Sequence, residues 1–205
     1  LYFYDNAGTL KGQIDQAVTG ITYDTGRGDG TRIAGHINSP YVFLLGAFQG
    51  TTRMCLSVFD SRDQSFVTEY DVSEPGFQST NDRANVCVDA LNRITATWVT
   101  QPTGFAAQQV AARVLGFNES AKSVEPLTHS FWVFVNAITV PQTDNLIHTV
   151  QMYPAMTTKQ ICVAAKGEIN LQNQPQNGPN SFSEINFRAT DLSGNQRDTF
   201  GDTLR

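Results

Sequence analysis

The chain repeats itself, and that constrains its fold more than any other feature. Tyr2-Phe3-Tyr4-Asp5-Asn6-Ala7-Gly8, followed by 10–18, resembles Ser57-Val58-Phe59-Asp60-Ser61-Arg62-Asp63, followed by 65–73. The same pattern returns in 113–120 before 123–130, and more faintly in 186–194 before 197–203. Each copy reads as an alternating strand, a polar turn and a second strand. Upstream of the second and third copies lies another matched pair, 32–39 with 41–47 and 85–92 with 94–100. In the last copy 148–153 and 160–165 fall in the same two places. The repeating unit is therefore four strands in meander order, and a recurring period of this kind marks an architecture built from stacked or radial units.

Strand type follows from alternation and from β-branched and aromatic content, as in Ile94-Thr95-Ala96-Thr97-Trp98-Val99, bounded by Gly, Pro, Asn and Asp clusters. The one segment with helical composition, 106–115, alternates at Val110, Ala112 and Val114 and occupies the third-strand position of its unit, so a strand is expected there. The expected fold class is all-β: β-propeller blades, about three and a half four-stranded antiparallel units, forming part of a larger propeller. The approximate units are 1–20 (partial), 31–73, 84–130 and 146–205, within a single propeller-type domain or fragment. A β-sandwich is the alternative, although a sandwich does not predict that consecutive quartets resemble one another. The incomplete count leaves two further readings, in which copies of the chain assemble around a common axis or the N-terminal half-unit closes onto the last blade.

Over 81–137 the residues resemble propeller repeats of bacterial extracytoplasmic and surface proteins. The resemblance lies in Val86-Cys87-Val88-Asp89-Ala90-Leu91-Asn92-Arg93 leading into Ala96-Thr97-Trp98-Val99, with 108–115 following. It implies a fold and an extracytoplasmic or cell-surface location rather than an activity.

Composition excludes some functions. A formal charge of -5, without clustered Lys and Arg, disfavours nucleic acid and anionic membrane surfaces as partners. No apolar run is long enough to span a bilayer as a helix, so membrane insertion is not expected. The hydrophobic fraction of 40% against 16% charged residues fits a folded domain. Cys55, Cys87 and Cys162 are widely spaced and flanked by apolar residues, which predicts buried free thiols rather than disulfides or a zinc site.

In a propeller the second-to-third-strand loops and the unit-to-unit loops share one face. That face would receive 21–31, 48–53, 74–83, 101–107, 129–145 and 166–183, the long connections where binding residues tend to be placed. Candidate ligand-binding residues on it are Asp24, Arg27, Asp29, Asp82, Arg83, Phe105 and Trp132. Arg27-Gly28-Asp29 matches an adhesion tripeptide, although a Gly-rich solvated turn is the plainer reading. Asp24, Asp29 and Asp82 suggest calcium, but without Asp-x-Asp-x-Asp-Gly spacing turn capping is preferred. The aromatic side chains Phe105, Phe131 and Trp132 offer stacking surface for sugars or partners, against a packing role that the apolar run 131–135 favours. His36, His129 and His148 form no metal-ligand or triad spacing, so no catalytic residue, metal or cofactor is expected. A mobile loop is expected over 170–183, and Asn118-Glu119-Ser120 is a glycosylation sequon at a turn. These readings converge on a non-catalytic module with a carbohydrate or protein ligand, and with further blades or copies of the chain as possible neighbours. The alternatives are a fragment of a propeller enzyme acting on glycans, or a subunit of a surface assembly.

Overall fold

The computed structural model describes residues 1–14, 32–47, 53–77, 79–100, 109–134, 145–157, 159–171 and 182–195. All regular structure among them is β, in antiparallel sheets. A hairpin pairs β1 (Tyr2–Tyr4) with β2 (Leu10–Gln13). The first sheet is the meander β3 (Arg32–Gly35), β4 (Tyr41–Ala47), β5 (Met54–Asp60) and β6 (Ser65–Asp71). The second runs β7 (Ser79–Val88), β8 (Arg93–Thr100), β9 (Gln109–Asn118) and β10 (Ser123–Pro126), with β11 (Phe131–Phe134) also pairing with β9. The third holds β12 (Asn145–Met156), β13 (Gln160–Leu171) and β14 (Phe182–Asp191). The segment with helical composition is thus strand from Gln109 onward. The expected last strand, 197–203, lies outside the described residues.

One turn recipe closes the β1–β2 and β7–β8 hairpins and recurs after β14. Asp5 accepts from the amides of Ala7 and Thr9, both at 2.9 Å. Asp89 accepts from Leu91 at 2.9 Å and Arg93 at 3.0 Å, and Asp191 from Ser193 and Asn195, both at 2.9 Å. The fourth residue of each turn, Gly8, Asn92 or Gly194, has positive φ (78°, 55° and 87°), which Gly and Asn tolerate best. Turn capping by Asp24 and Asp29 falls outside the described residues, and Asp82 lies on β7.

The sheets pack face to face in series. Tyr41, Phe43, Leu45, Met54, Leu56 and Val58 of the first sheet meet Val86, Ile94, Trp98, Leu115 and Phe117 of the second. The other face of the second sheet, with Val99, Val110, Ala112, Val114 and Val133, meets Ile161 and Val163 of the third. β8 is consequently buried at every position after Arg93. A two-sheet sandwich would have one core, whereas this chain has two with a shared middle sheet. β7 lies against β3 and β4 on one side and β12 on the other, and among the described residues the sheets do not close into a ring.

Four expectations are corrected. Residues 129–145 are not all loop, because 131–134 form β11, which continues along the edge of β9 where β10 stops. Residues 79–83 belong to β7, not to a connecting loop. β13 extends through Leu171 and β14 begins at Phe182, so the ends of the supposed loop 170–183 pair as strand. Cys162 is exposed rather than buried, since Ile161 and Val163 take the inward face of β13. Cys55 is buried and Cys87 half-buried, and desolvation pushes both thiols up to about 12.

Candidate functional site

Glu74-Pro75-Gly76-Phe77 links the first sheet to the second, and its sequence dictates its shape. Proline fixes φ at the second position, Gly76 supplies the φ of 87° that a type II turn needs at the third, and the Phe77 amide donates to the Glu74 carbonyl at 2.9 Å. The turn sends Glu74 and Phe77 to two different anchor points on the second sheet.

The first anchor is Arg113, a lone charge in the apolar strand β9 and only 6% exposed. Its guanidinium donates to the carbonyl of Val72 at 3.0 Å and to that of Thr128 at 3.2 Å, lies 5.7 Å from the Tyr70 ring centre, and pairs with Glu74 Oε1 at 3.0 Å. It sits where the outer strand breaks between β10 and β11. There the amides of Leu127 and Thr128 both donate to the Val114 carbonyl, and Thr128 Oγ1 accepts from the Val114 amide. The second carboxylate oxygen of Glu74 accepts from the Ser130 amide at 2.6 Å, and His129 Nδ1 lies 3.2 Å from Oε1. Burial raises the Glu74 pKa, but the Ser130 amide, the His129 ring and the Arg113 charge outweigh it and hold the carboxyl below its ordinary value. The His129 side chain is 98% exposed.

The second anchor is aromatic. Phe77 stacks on Trp132 with ring centres 4.4 Å apart and an interplanar angle of 29°. The Phe77 carbonyl accepts from Trp98 Nε1 at 2.6 Å, which fixes the backbone beneath the stack. Both rings are half-buried, so they pack and still present an edge to solvent. The arrangement places two stacked, half-buried aromatic rings on the same turn and outer segment as a carboxylate and an exposed imidazole.

A second polar cluster joins the same two sheets at their opposite, tight-turn end. Asp60 holds Arg62 through Nε at 3.0 Å and Nη2 at 2.6 Å. Arg62 Nη2 also donates to the Tyr41 hydroxyl at 3.2 Å, and Lys122 Nζ reaches the same oxygen. The Arg62 guanidinium holds the Asp60 carboxyl below its usual range.

Of the sequence candidates, Trp132 falls within the aromatic patch, and Phe131 packs with the second core. Asp82 and Arg83 lie on β7, between the pairs Ser79 with Thr100 and Ala84 with Trp98, where the register shifts. Asp24, Arg27, Asp29 and Phe105 lie outside the described residues. His36 serves its own turn, accepting from the Asn38 amide at 3.2 Å, and His148 lies on β12. The Asn118 side chain of the sequon caps its turn by accepting from Ser120 and Ala121. Glu74, Phe77 and Arg113 are not among the sequence candidates, and His129 is weighed there only for metal-ligand or triad spacing. Their signals were Pro75-Gly76 and a single arginine inside an apolar strand. Among the described residues there is no group of three or more His, Cys, Asp or Glu placed to hold a metal ion. No described helix is long and apolar enough to cross a membrane.

The structure thus defines an all-β chain of antiparallel sheets in face-to-face series. No family model matches it, and no curated protein does. Among solved structures, an α-L-arabinofuranosidase from Fusarium graminearum, in complex with an iminosugar inhibitor, is similar with 7% identity. The match covers 84% of this chain and 67% of that chain at a TM-score of 0.36, too loose a likeness to assign fold detail, activity or site.

Proposed function

We propose that the chain is a non-catalytic binding module of propeller type, at the cell surface or otherwise extracytoplasmic, whose long-loop end meets a carbohydrate or protein partner. The propeller reading is supported by two successive four-strand meanders and by the placing of β7 between β3 and β12. The observation that carries the binding reading is the Phe77–Trp132 stack held beside Glu74 and the exposed His129. The partly exposed side of this ring pair, bordered by hydrogen-bonding groups, suits the C–H and hydroxyl groups of a sugar, so carbohydrate is the favoured partner.

The test is a glycan array probed with the whole chain, followed by titration of any glycan bound. Trp132→Ala should weaken that binding at least tenfold, and Trp132→Phe should restore part of it. Binding indifferent to Trp132 would move the site elsewhere. Capture of no glycan would overturn the carbohydrate reading, and cleavage of a bound glycan would overturn the non-catalytic one.

A further inference from the structure

One turn position in the repeat carries a carboxylate in three copies and an amide in the fourth. Tyr4-Asp5, Phe59-Asp60, Phe117-Asn118 and Thr190-Asp191 align, and in each pair the second side chain caps the turn that follows. Asp5 accepts from the Ala7 amide at 2.9 Å, Asp60 from Arg62 at 3.0 Å and Asp191 from Ser193 at 2.9 Å. Asn118 does the same for Ser120 at 3.1 Å and Ala121 at 3.0 Å. Capping uses one oxygen, which a carboxylate supplies as well as an amide does. The amide at 118 therefore brings a nitrogen that the turn does not need.

That nitrogen is free and points away from the turn's amides. Two backbone N–H groups converge on Oδ1, which fixes the orientation of the amide, and Nδ2 makes no hydrogen bond among the described residues. Asn118, Glu119 and Ser120 are all exposed. They form the only Asn-x-Ser or Asn-x-Thr sequence in the chain with a residue other than proline in the middle. The sequon thus coincides with the one copy of this turn whose cap is an amide. Its place also suits an attachment. Asn118 ends β9, whereas Ala111, the partner of Trp132, lies seven residues earlier on the same strand, about 23 Å away at the usual strand rise. A sugar chain on Asn118 grows from the end opposite the Phe77–Trp132 stack.

We infer that Asn118 is an N-glycosylation site of this chain, taking its sugar from a glycosyl diphosphate donor. Nδ2 attacks the anomeric carbon of the donor. A C–N bond forms as the C–O bond to the diphosphate breaks, the diphosphate leaves with the electron pair, and Nδ2 gives up one of its two protons. The inference rests on the extracytoplasmic reading above, because transfer to such a sequence from a lipid-linked donor takes place outside the cytosol.

The test is mass spectrometry of the whole chain recovered from its natural source, with the peptide containing Asn118 read before and after enzymatic release of N-linked sugar. That peptide should carry the mass of one or more sugar residues, and release should leave aspartate at 118. Asn118→Asp should lose the added mass and keep the wild-type melting temperature, because aspartate caps the aligned turns. Ser120→Ala, which leaves Asn118 and its cap in place, should lose the mass as well and serves if Asn118→Asp fails to fold. A bare Asn118 in chain recovered from outside the cytosol would overturn this inference and leave the location standing. Chain found in the cytosol would overturn the location, and with it the lipid-linked donor. Added mass that persists in Asn118→Asp or in Ser120→Ala would also overturn the assignment of the site.

Discussion

The two joints between sheets are built differently. The joint between the first and second sheets is filled by bulky side chains, with Phe117 edge-on to Tyr41 at 4.6 Å and to Phe43 at 5.9 Å, and Trp98 fully buried. It is also pinned at both ends by polar groups, Glu74 with Arg113 at one and Tyr41 with Arg62 and Lys122 at the other. Among the described residues, the joint between the second and third sheets is mainly small and β-branched, and a polar bond across it runs from Thr95 Oγ1 to the Met156 sulfur at 3.3 Å. Bulk and ion pairs specify one geometry for the first joint. Small side chains let the second tolerate adjustment, because the loss from a core substitution scales with the volume and contacts removed.

The strongest challenge to this contrast is Trp98→Ala. It empties the centre of the first joint and removes the donor to the Phe77 carbonyl, so a loss of about 4 kcal/mol is expected in urea denaturation. A loss no larger than that of a substitution in the second joint would erase the distinction. Glu74→Gln comes next, at about 2 to 3 kcal/mol, because it leaves the buried Arg113 without its carboxylate, moderated by the partial exposure of Glu74. The sign with pH follows from the lowered pKa of Glu74 in the folded state. Its contribution is present above the ordinary carboxylate pKa and lost as pH falls through the folded value. Wild type should therefore lose more stability than Glu74→Gln between neutral pH and acid, and equal losses would show that the pair does not brace the joint.

Gly194→Ala probes the second joint. Gly194 has φ of 87°, and an added Cβ would sit 2.5 Å from Cγ of Phe131, so about 2 kcal/mol should be lost in thermal denaturation. The smallest effect is expected from Ile161→Val, about 1 kcal/mol for one methylene in a joint that can settle around it. A value near that of Trp98→Ala would mean the second joint is as tightly specified as the first.

Much of the β organisation was legible because alternation and turn chemistry are local. Asp5 with Gly8, Asp89 with Asn92 and Asp191 with Gly194 write their turns directly into the chain. The second strand of each meander was readable from runs such as 41–47 and 94–100. What escaped was set by packing across sheets. β11 was hidden because 127–130 interrupts the outer strand, and the interruption makes sense only once the Arg113 side chain is seen reaching the Thr128 carbonyl. Residues 79–83 are too polar to read as strand, yet β7 begins at Ser79, which pairs with Thr100, and the pairing with β8 resumes at Ala84 after a register shift. Cys162 has the apolar neighbours of a buried residue, and only the pleat decides which face it takes. Of the candidate site, Trp132 could be named because an aromatic in a long connection is conspicuous. Glu74 and Arg113 could not, since a carboxylate near a turn and an arginine in a strand meet only through the fold.

The break in the outer strand has a consequence for how the chain behaves in company. The rim of the second sheet is split into two pieces of four residues, β10 and β11, and the first ends in Pro126, which lacks an amide donor. A stray extended peptide aligning there would find no unbroken row of amides and carbonyls to copy, so this rim is guarded against templating fibrils.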